Sequence, residues 1–227
     1  MPDASFYNKL YPLQDAALQK LNGVTRFYLA GGTAVSRFHY HHRYSEDLDF
    51  FMNRSENFRD EAKKLITTLE SGFSDVQVIM DMESFFRIFV KDEEGIVLKV
   101  ELINDVGFRY GKPMNGGTYH LVDIPRNILS NKLCALSRSA AKDVVDIITI
   151  CQHETFSWPD LFEEAKMKDT WANELSAINT LSTMSLDKIL TDVDWIEKPS
   201  VKFLEDSINT ICTDIAKARE NSLFKPS

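Results

Sequence analysis

The feature that most constrains this chain is a glycine pair followed, one short helix later, by two alternating acids. Gly31-Gly32-Thr33 opens the segment and Ser45-Glu46-Asp47-Leu48-Asp49 closes it. Because strand side chains alternate between two faces, Asp47 and Asp49 should share one face while Leu48 turns toward the core. Hard carboxylate oxygens suit Mg²⁺ better than zinc, and such ions could stabilise an in-line attack on a nucleotide phosphate. Glycines let backbone approach that phosphate closely.

Composition limits the kinds of protein this chain can be. With 227 residues, 44% of them apolar, it can bury a core and fold alone as one large or two small domains. Its formal charge of −8 does not fit a non-specific nucleic-acid binder, so any nucleic-acid contact must be local. The three cysteines are far apart and lie in predicted helices, which favours reduced thiols over disulfides or a zinc site.

No sequence signal points to a membrane. The N-terminus lacks a charged segment followed by an apolar one, and no apolar run is long enough to span a bilayer. We therefore expect a cytoplasmic protein without a membrane partner.

The hydrophobic pattern predicts an α/β first half and a helical second half. A helix over the first twenty residues leads to a short strand, the glycine turn, a second helix and the acidic strand. A helix through Leu69, three further strands, a hairpin turn at 92–95 and a possible last strand at 118–124 follow. After Pro125 the pattern is helical, including a predicted capping box at Ser157. We predict two domains, an α/β core at 1–124 and a helical domain at 125–227.

A basic segment lies directly before the acidic pair. It runs from Arg37 to Arg43 and holds three of the five histidines. Such a cluster could receive phosphates or stack on bases, which makes Arg37, His41, His42 and Arg43 weak candidates for RNA binding. The alternative is a solvated helix end whose cations complement the helix dipole.

The order of these motifs resembles the nucleotidyltransferase superfamily with the DNA polymerase β-like fold. Leu29–Ala34 and Arg43–Phe50 resemble the AbiEii/AbiGii toxin family, which includes the MenT-like toxins. The helical half adds Lys132–Leu136, Arg138, Lys142-Asp143 and Asp146-Ile147, so the similarity runs from about Tyr28 to Cys151. The resemblance implies an α+β fold, with a polymerase β-like mixed sheet and flanking helices followed by a C-terminal helical domain.

The resemblance also implies roles for individual residues. Asp47 and Asp49 would hold metal ions, with Glu101 in the place of a third carboxylate that is most often aspartate. Lys132 would offset phosphate charge, and Asp143 or Asp146 would supply a late acidic function. The nucleotide would be held by Gly31, Gly32, Thr33, Ser45, Lys132 and Asp143.

The residues themselves leave alternatives open. Glu101 shares a strand face with Lys99 and could form an ordinary surface pair. Lys132 lies on an amphipathic helix, where most lysines simply meet water. Asp143 and Asp146 lie one turn apart and could instead pair with Lys142 and Arg138 to join two helices. Ser45 could bind phosphate or merely end a turn.

The function implied by the resemblance is that of a toxin in a bacterial toxin–antitoxin or phage-defence pair. It would transfer a nucleotide from a nucleoside triphosphate to RNA, most naturally the 3′ end of tRNA, and release pyrophosphate. Two Mg²⁺ ions, or Mn²⁺, would assist, and a cognate antitoxin would be a partner. One alternative keeps the chemistry but uses a small molecule or protein hydroxyl as acceptor. Another is a nucleotide-binding module with little turnover.

Overall fold

A computed structural model describes residues 4–225, and the chain divides into two compact units. The first unit contains the residues up to Phe38, Ser45–Gly107 and Lys112–Ile124. The second contains His39–Tyr44, Phe108–Gly111 and the residues from Pro125 onward. The chain therefore changes unit at Pro125, and two short earlier segments belong with the helical half.

The first unit is built on a mixed five-stranded sheet, which confirms the predicted α+β class. The strand order is β1-β2-β5-β4-β3, with β2 and β5 parallel and the other neighbours antiparallel. The predicted turn at 92–95 joins β4 to β5, and Gly95 adopts a positive φ of 86° there. The strands are β1 (Tyr28–Ala30), β2 (Leu48–Asn53), β3 (Asp75–Asp81), β4 (Phe85–Lys91) and β5 (Val97–Asp105).

Helices flank this sheet as predicted. Helix α1 spans Ala4–Leu21 and α3 spans Phe58–Glu70, and their apolar faces are buried with those of the strands. Helix α2 (Gly31–Thr33) continues directly into a π-helix at Ala34–Tyr40. The glycine pair is therefore the first turn of a helix and not a separate turn.

The prediction of a further strand at 118–124 was wrong. Only isolated bridges form there, from Val122 to Leu29 and to Met114. Leu29 N–H donates to the Leu121 carbonyl and Asp123 N–H donates to the Leu29 carbonyl, so the segment follows β1 for a single residue. With β1 only three residues long, there is little edge on which a longer ladder could form.

The second unit is helical, as the sequence after Pro125 predicts. A 3₁₀ turn at Leu136–Arg138 follows its first long helix. The predicted capping box at Ser157 was wrong, because the Ser157 side chain accepts no cap hydrogen bond. The helices are α4 (Pro125–Ala135), α5 (Ala141–His153), α6 (Trp158–Lys166), α7 (Glu174–Thr183), α8 (Leu186–Asp192) and α9 (Val201–Ala216).

Within residues 4–225, no helix has the length and apolar character needed to cross a membrane.

Candidate active site

Three predicted acids come together on one face of the first unit's sheet. Strand pairing places Asp49 beside Glu101, and Glu101 beside Arg87 on the next strand. Side chains paired in this way lie next to each other on the same face. Asp47 precedes Asp49 by two residues and is partly exposed like it, whereas Leu48 between them is fully buried. The alternation therefore places all three carboxylates on the accessible face.

Two cations lie among these acids. Lys99 Nζ is 2.8 Å from Asp47 Oδ2 and 3.6 Å from Glu101 Oε1, and Arg87 lies 2.7 Å from the same Glu101 oxygen. Burial alone would lower the pKa of Lys99, but the hydrogen bond and charge of Asp47, with the other two acids, raise it above the ordinary value. Lys99 and Arg87 therefore offset the charges of Asp47 and Glu101 on this acidic face.

The acidic face is open to solvent. The exposed fractions of the Asp47 and Glu101 side chains are 25% and 16%, and that of Lys99 is 31%. Charged groups in such positions remain accessible to ions and phosphates. Sequence reasoning saw that Lys99 shares a face with Glu101, but it missed Arg87.

The acidic face offers the right ligands for a divalent ion but does not present them ready-made. Among residues 4–225, no three His, Cys, Asp or Glu side chains converge closely enough to hold a metal as they stand. The adjacent carboxylates are nevertheless the hard oxygen donors that Mg²⁺ and Mn²⁺ prefer. The donor chemistry fits, provided that Asp47 and Glu101 can turn away from Lys99.

The start of α2 is fitted closely against the acidic strand. Gly31 has a positive φ of 67°, and a Cβ atom there would collide with the Asp49 carboxylate. Two residues later, the buried Thr33 hydroxyl donates to the Asp47 carbonyl and lies 2.9 Å from Ser45 Oγ. Gly31 therefore allows the Asp49 side chain to lie close against the backbone at the start of α2.

Two further residues fix the acidic segment. The fully buried Gln14 donates through Nε2 to the carbonyls of Ser45 and Glu46, at 3.1 and 2.8 Å. Arg37 in turn donates to Gln14 at 2.8 Å and to Asp15 at 2.7 Å. Arg37, a candidate for RNA binding, thus makes internal contacts here. Gln14 escaped sequence reasoning because it lies among the apolar residues of α1.

The second unit holds a separate cluster of buried charges. Asp146 is fully buried and accepts hydrogen bonds from Arg43 at 2.7 and 2.8 Å. Lys132 Nζ lies 2.7 Å from Asp146 and 2.6 Å from Asp143. His42 Nε2 is 2.8 Å from Asp146 Oδ1. We call these five residues the buried cluster.

The pKa values of the buried cluster follow from its geometry. Burial alone would raise the pKa of Asp146, but the charges of Arg43 and Lys132 hold it well below the usual range. Burial alone would lower the pKa of Lys132, but the charges of Asp146 and Asp143 raise it above its ordinary value. Burial lowers the pKa of His42. Asp146 raises it in part, and the nearby cations offset some of that increase. At pH 7 Asp146 and Lys132 are therefore charged, and the His42 imidazole is neutral.

These contacts correct two interpretations of the sequence. Asp143 and Asp146 were expected to pair with Lys142 and Arg138 if they were structural, but their partners are Lys132 and Arg43. Nor does the basic segment form an open patch, because Arg43 is only 4% exposed and His42 contacts Asp146. His41 is exposed and has a positive φ of 52°. Lys132, predicted to meet phosphate, is directed to two aspartates.

Comparison with known proteins agrees with this fold. Residues 16–113 match the family model of the nucleotidyl transferase AbiEii toxin of type IV toxin–antitoxin systems. That stretch includes the glycine pair and all three acids of the acidic face. No curated protein matches the chain.

Three solved structures share the architecture over nearly the whole chain. JHP933 from Helicobacter pylori superposes with a TM-score of 0.65 at 21% identity, covering 96% of this chain and 94% of that one. A candidate nucleotidyltransferase from the same organism gives 0.68 at 20% identity, with 95% and 96% covered. MenT4, a nucleotidyltransferase toxin from Mycobacterium tuberculosis H37Rv, gives 0.57 at 16%, with 95% and 86% covered. The predicted resemblance to the AbiEii toxins is confirmed over residues 16–113, and the chain shares its fold with MenT4.

Proposed function

We propose that the protein is a metal-dependent nucleotidyltransferase that moves a nucleotide from a nucleoside triphosphate to RNA, most naturally the 3′ end of tRNA. The observation that carries this proposal is the acidic face. Asp47, Asp49 and Glu101 lie side by side, open to solvent, with the positive-φ residue Gly31 against Asp49. Neighbouring carboxylates on an accessible sheet face supply the hard oxygen ligands that a divalent ion requires.

Asp47, Asp49 and Glu101 would hold the divalent ions, two Mg²⁺ or in their place Mn²⁺. Such ions, when bound, neutralise phosphate charge and lower the pKa of an attacking hydroxyl. Lys99 would release Asp47 as the three carboxylates converge. The backbone at Gly31 and Gly32 would lie next to the triphosphate.

Nucleotidyl transfer depends on positioning and charge stabilisation more than on a covalent nucleophile. The acceptor hydroxyl oxygen forms a bond to the α-phosphorus while the bond to the β,γ-diphosphate breaks, and pyrophosphate leaves. Thr33, Ser45 and Gln14 contribute by holding the acidic strand in register with the start of α2. Arg87 would offset charge on the phosphates.

In the cell, the match to type IV toxins supports the role of a toxin in a toxin–antitoxin pair, with a cognate antitoxin as partner. A contribution to phage defence would follow from the same activity. We therefore place its action in the cytoplasm, where nucleoside triphosphates and tRNA are present.

A labelling experiment tests this proposal. The purified protein is incubated with Mg²⁺, each α-labelled triphosphate in turn, and total RNA. Asp47→Asn keeps the side-chain shape but removes the charge, and Asp60→Asn is the matched control on the exposed surface of α3. We expect label on RNA with wild type and Asp60→Asn, and a loss of at least about 100-fold with Asp47→Asn. Equal labelling by all three proteins would refute the assigned site.

A further inference from the structure

The second unit contains a cavity that the proposed chemistry does not use. Its volume is about 450 Å³, within the range of small-molecule sites. Its wall consists of the 40–42 segment, one side of α5, the connection at 195–199 and the start of α9. Aromatic rings from Tyr40, Trp195 and Phe203 contribute to this wall.

Two residues of this wall carry buried polar atoms that lack a hydrogen-bond partner in the part of the chain that the structure describes. They are Nδ1 of His42 and Nε1 of Trp195. A buried polar atom without a partner costs free energy, so native proteins contain few of them. The two residues are neighbours, because Trp195 bridges to Arg43, the residue after His42.

The buried cluster determines what these two atoms can bind. His42 Nε2 lies 2.8 Å from the Asp146 carboxylate, which only accepts, so Nε2 carries the hydrogen. In the neutral ring, Nδ1 is then an acceptor, and burial favours that neutral form by lowering the pKa of His42. The Trp195 indole is a donor only. The wall thus offers one acceptor and one donor in addition to its aromatic surface.

A planar heterocycle with hydrogen-bonding edges matches this combination. Bases stack on aromatic side chains, and their edges both donate and accept hydrogen bonds. The exposed Lys198 adds a cation to the same wall, suited to a phosphate. Both nitrogens are closed to solvent as the wall stands, so Trp195 has to shift for a base to reach them. It lies in the connection between α8 and α9, outside regular secondary structure.

We propose that this cavity binds the base of a nucleotide, either free or at the end of an RNA strand. The Trp195 N–H donates to the base edge, His42 Nδ1 accepts from it, and Lys198 faces the phosphate. The proposal goes beyond the transferase reaction, because the cavity is formed by the second unit alone. For an RNA acceptor, it would hold one nucleotide of the acceptor strand.

Calorimetric titration with nucleoside monophosphates and RNA trinucleotides, without divalent ions and with EDTA, tests the proposal. These ligands cannot donate a nucleotidyl group with loss of pyrophosphate, and omitting metal keeps the acidic face from contributing. Binding by trinucleotides but not monophosphates would identify an RNA end as the ligand, and the reverse a free nucleotide. Either result supports the cavity, and no binding by any ligand overturns it.

Substitutions locate the binding. Trp195→Phe keeps an aromatic ring but removes the unpaired N–H, so we expect about tenfold weaker binding. Lys198→Met should weaken binding several-fold, whereas Lys202→Met, exposed on α9 and absent from the wall, should not. Undiminished binding by Trp195→Phe would overturn the proposal.

The cavity proposal and the proposed transferase function can fail independently of each other. Asp47→Asn should retain nucleotide binding to the cavity while losing label transfer. Failure of the cavity experiment with intact transfer by wild type would refute only the cavity, and the converse would refute only the transferase.

Discussion

The acidic face and the buried cluster are built from the same kinds of side chain but in opposite surroundings. Each combines aspartates with one lysine and one arginine. In the buried cluster, Asp146 has no exposed surface, and two anions meet two cations. On the acidic face, the charges are partly exposed. Neutralised buried charges hold a fold in one arrangement, whereas partly exposed charges remain accessible to ions and substrates.

The largest effect that separates the two regions should come from Lys132→Met. This change leaves Asp143 and Asp146 buried with one cation fewer, and breaking such a cluster costs about 3–5 kcal/mol. Lys142→Met is the control, since Lys142 is exposed on α5. Urea unfolding at pH 7 measures both free energies. Similar values for the two variants would mean that Lys132 is not part of a folding cluster.

Next in size is the effect of Gly31→Ala. An alanine there has to adopt a positive φ and also displaces the Asp49 carboxylate, so we expect a loss of about 1–3 kcal/mol and a lower rate of transfer. Gly23→Ala is the matched control, because Gly23 has a φ of 73° but an added Cβ would meet open space. The difference between the two free energies of unfolding isolates the collision. If the two alanines cost the same, Gly31 is needed only for its backbone conformation.

The pH dependence of stability should follow the buried cluster. His42 has a lowered pKa when folded, so below its unfolded pKa of about 6.5 the unfolded state binds a proton that the folded state does not. Stability should therefore fall with acidification from about pH 6.5, by at most about 1.4 kcal/mol per pH unit for this group. Asp146, also lowered, adds a second decline below its ordinary value of 3.8.

Urea titrations at pH 7, 6 and 5 measure this decline. His42→Gln, which can still donate to Asp146, should flatten the curve between pH 6.5 and 5. An equally steep decline in the variant would assign the proton uptake to other groups.

The smallest effect should come from Lys99→Met. The pair with Asp47 is partly exposed, and such pairs contribute about 0–1 kcal/mol. The same lysine-to-methionine change should thus cost several times less on the acidic face than in the buried cluster. Parallel urea unfolding of the two variants measures this ratio. Equal losses would mean that the acidic face is as much a part of folding as the cluster.

Much of the acidic face could be predicted because its geometry is local. Alternation along β2 and β5 determines which acids share a face, and glycine before the helix indicates a close approach. Arg87 depends on the register of the hairpin. A turn confined to 92–95 would pair Lys91 with Ile96 and place Phe86 opposite Glu101, whereas the structure pairs Lys91 with Val97 and Arg87 with Glu101. A shift of one residue in register thus brings a different side chain opposite Glu101.

The buried cluster could not be predicted in the same way. Arg43 and Asp146 are separated by 103 positions, and the segment carrying Arg43 belongs to the second unit although it lies within the first half of the chain. Helical periodicity predicts which side of a helix is buried but not which distant residue will neutralise it. The partners predicted from the sequence, Lys142 and Arg138, are close to Asp143 and Asp146 along the chain.

Binding of Mn²⁺ in the presence of a nucleoside triphosphate tests the role of the acidic face most directly. Electron paramagnetic resonance titration of wild type, Asp47→Asn and Lys99→Met measures the affinity at constant folded fraction. We predict that Asp47→Asn binds at least tenfold more weakly than wild type, since a carboxylate ligand is lost. Lys99→Met should bind more tightly, since Asp47 no longer has a competing ammonium. The same affinity in all three proteins would contradict the account, because the ions would then bind elsewhere.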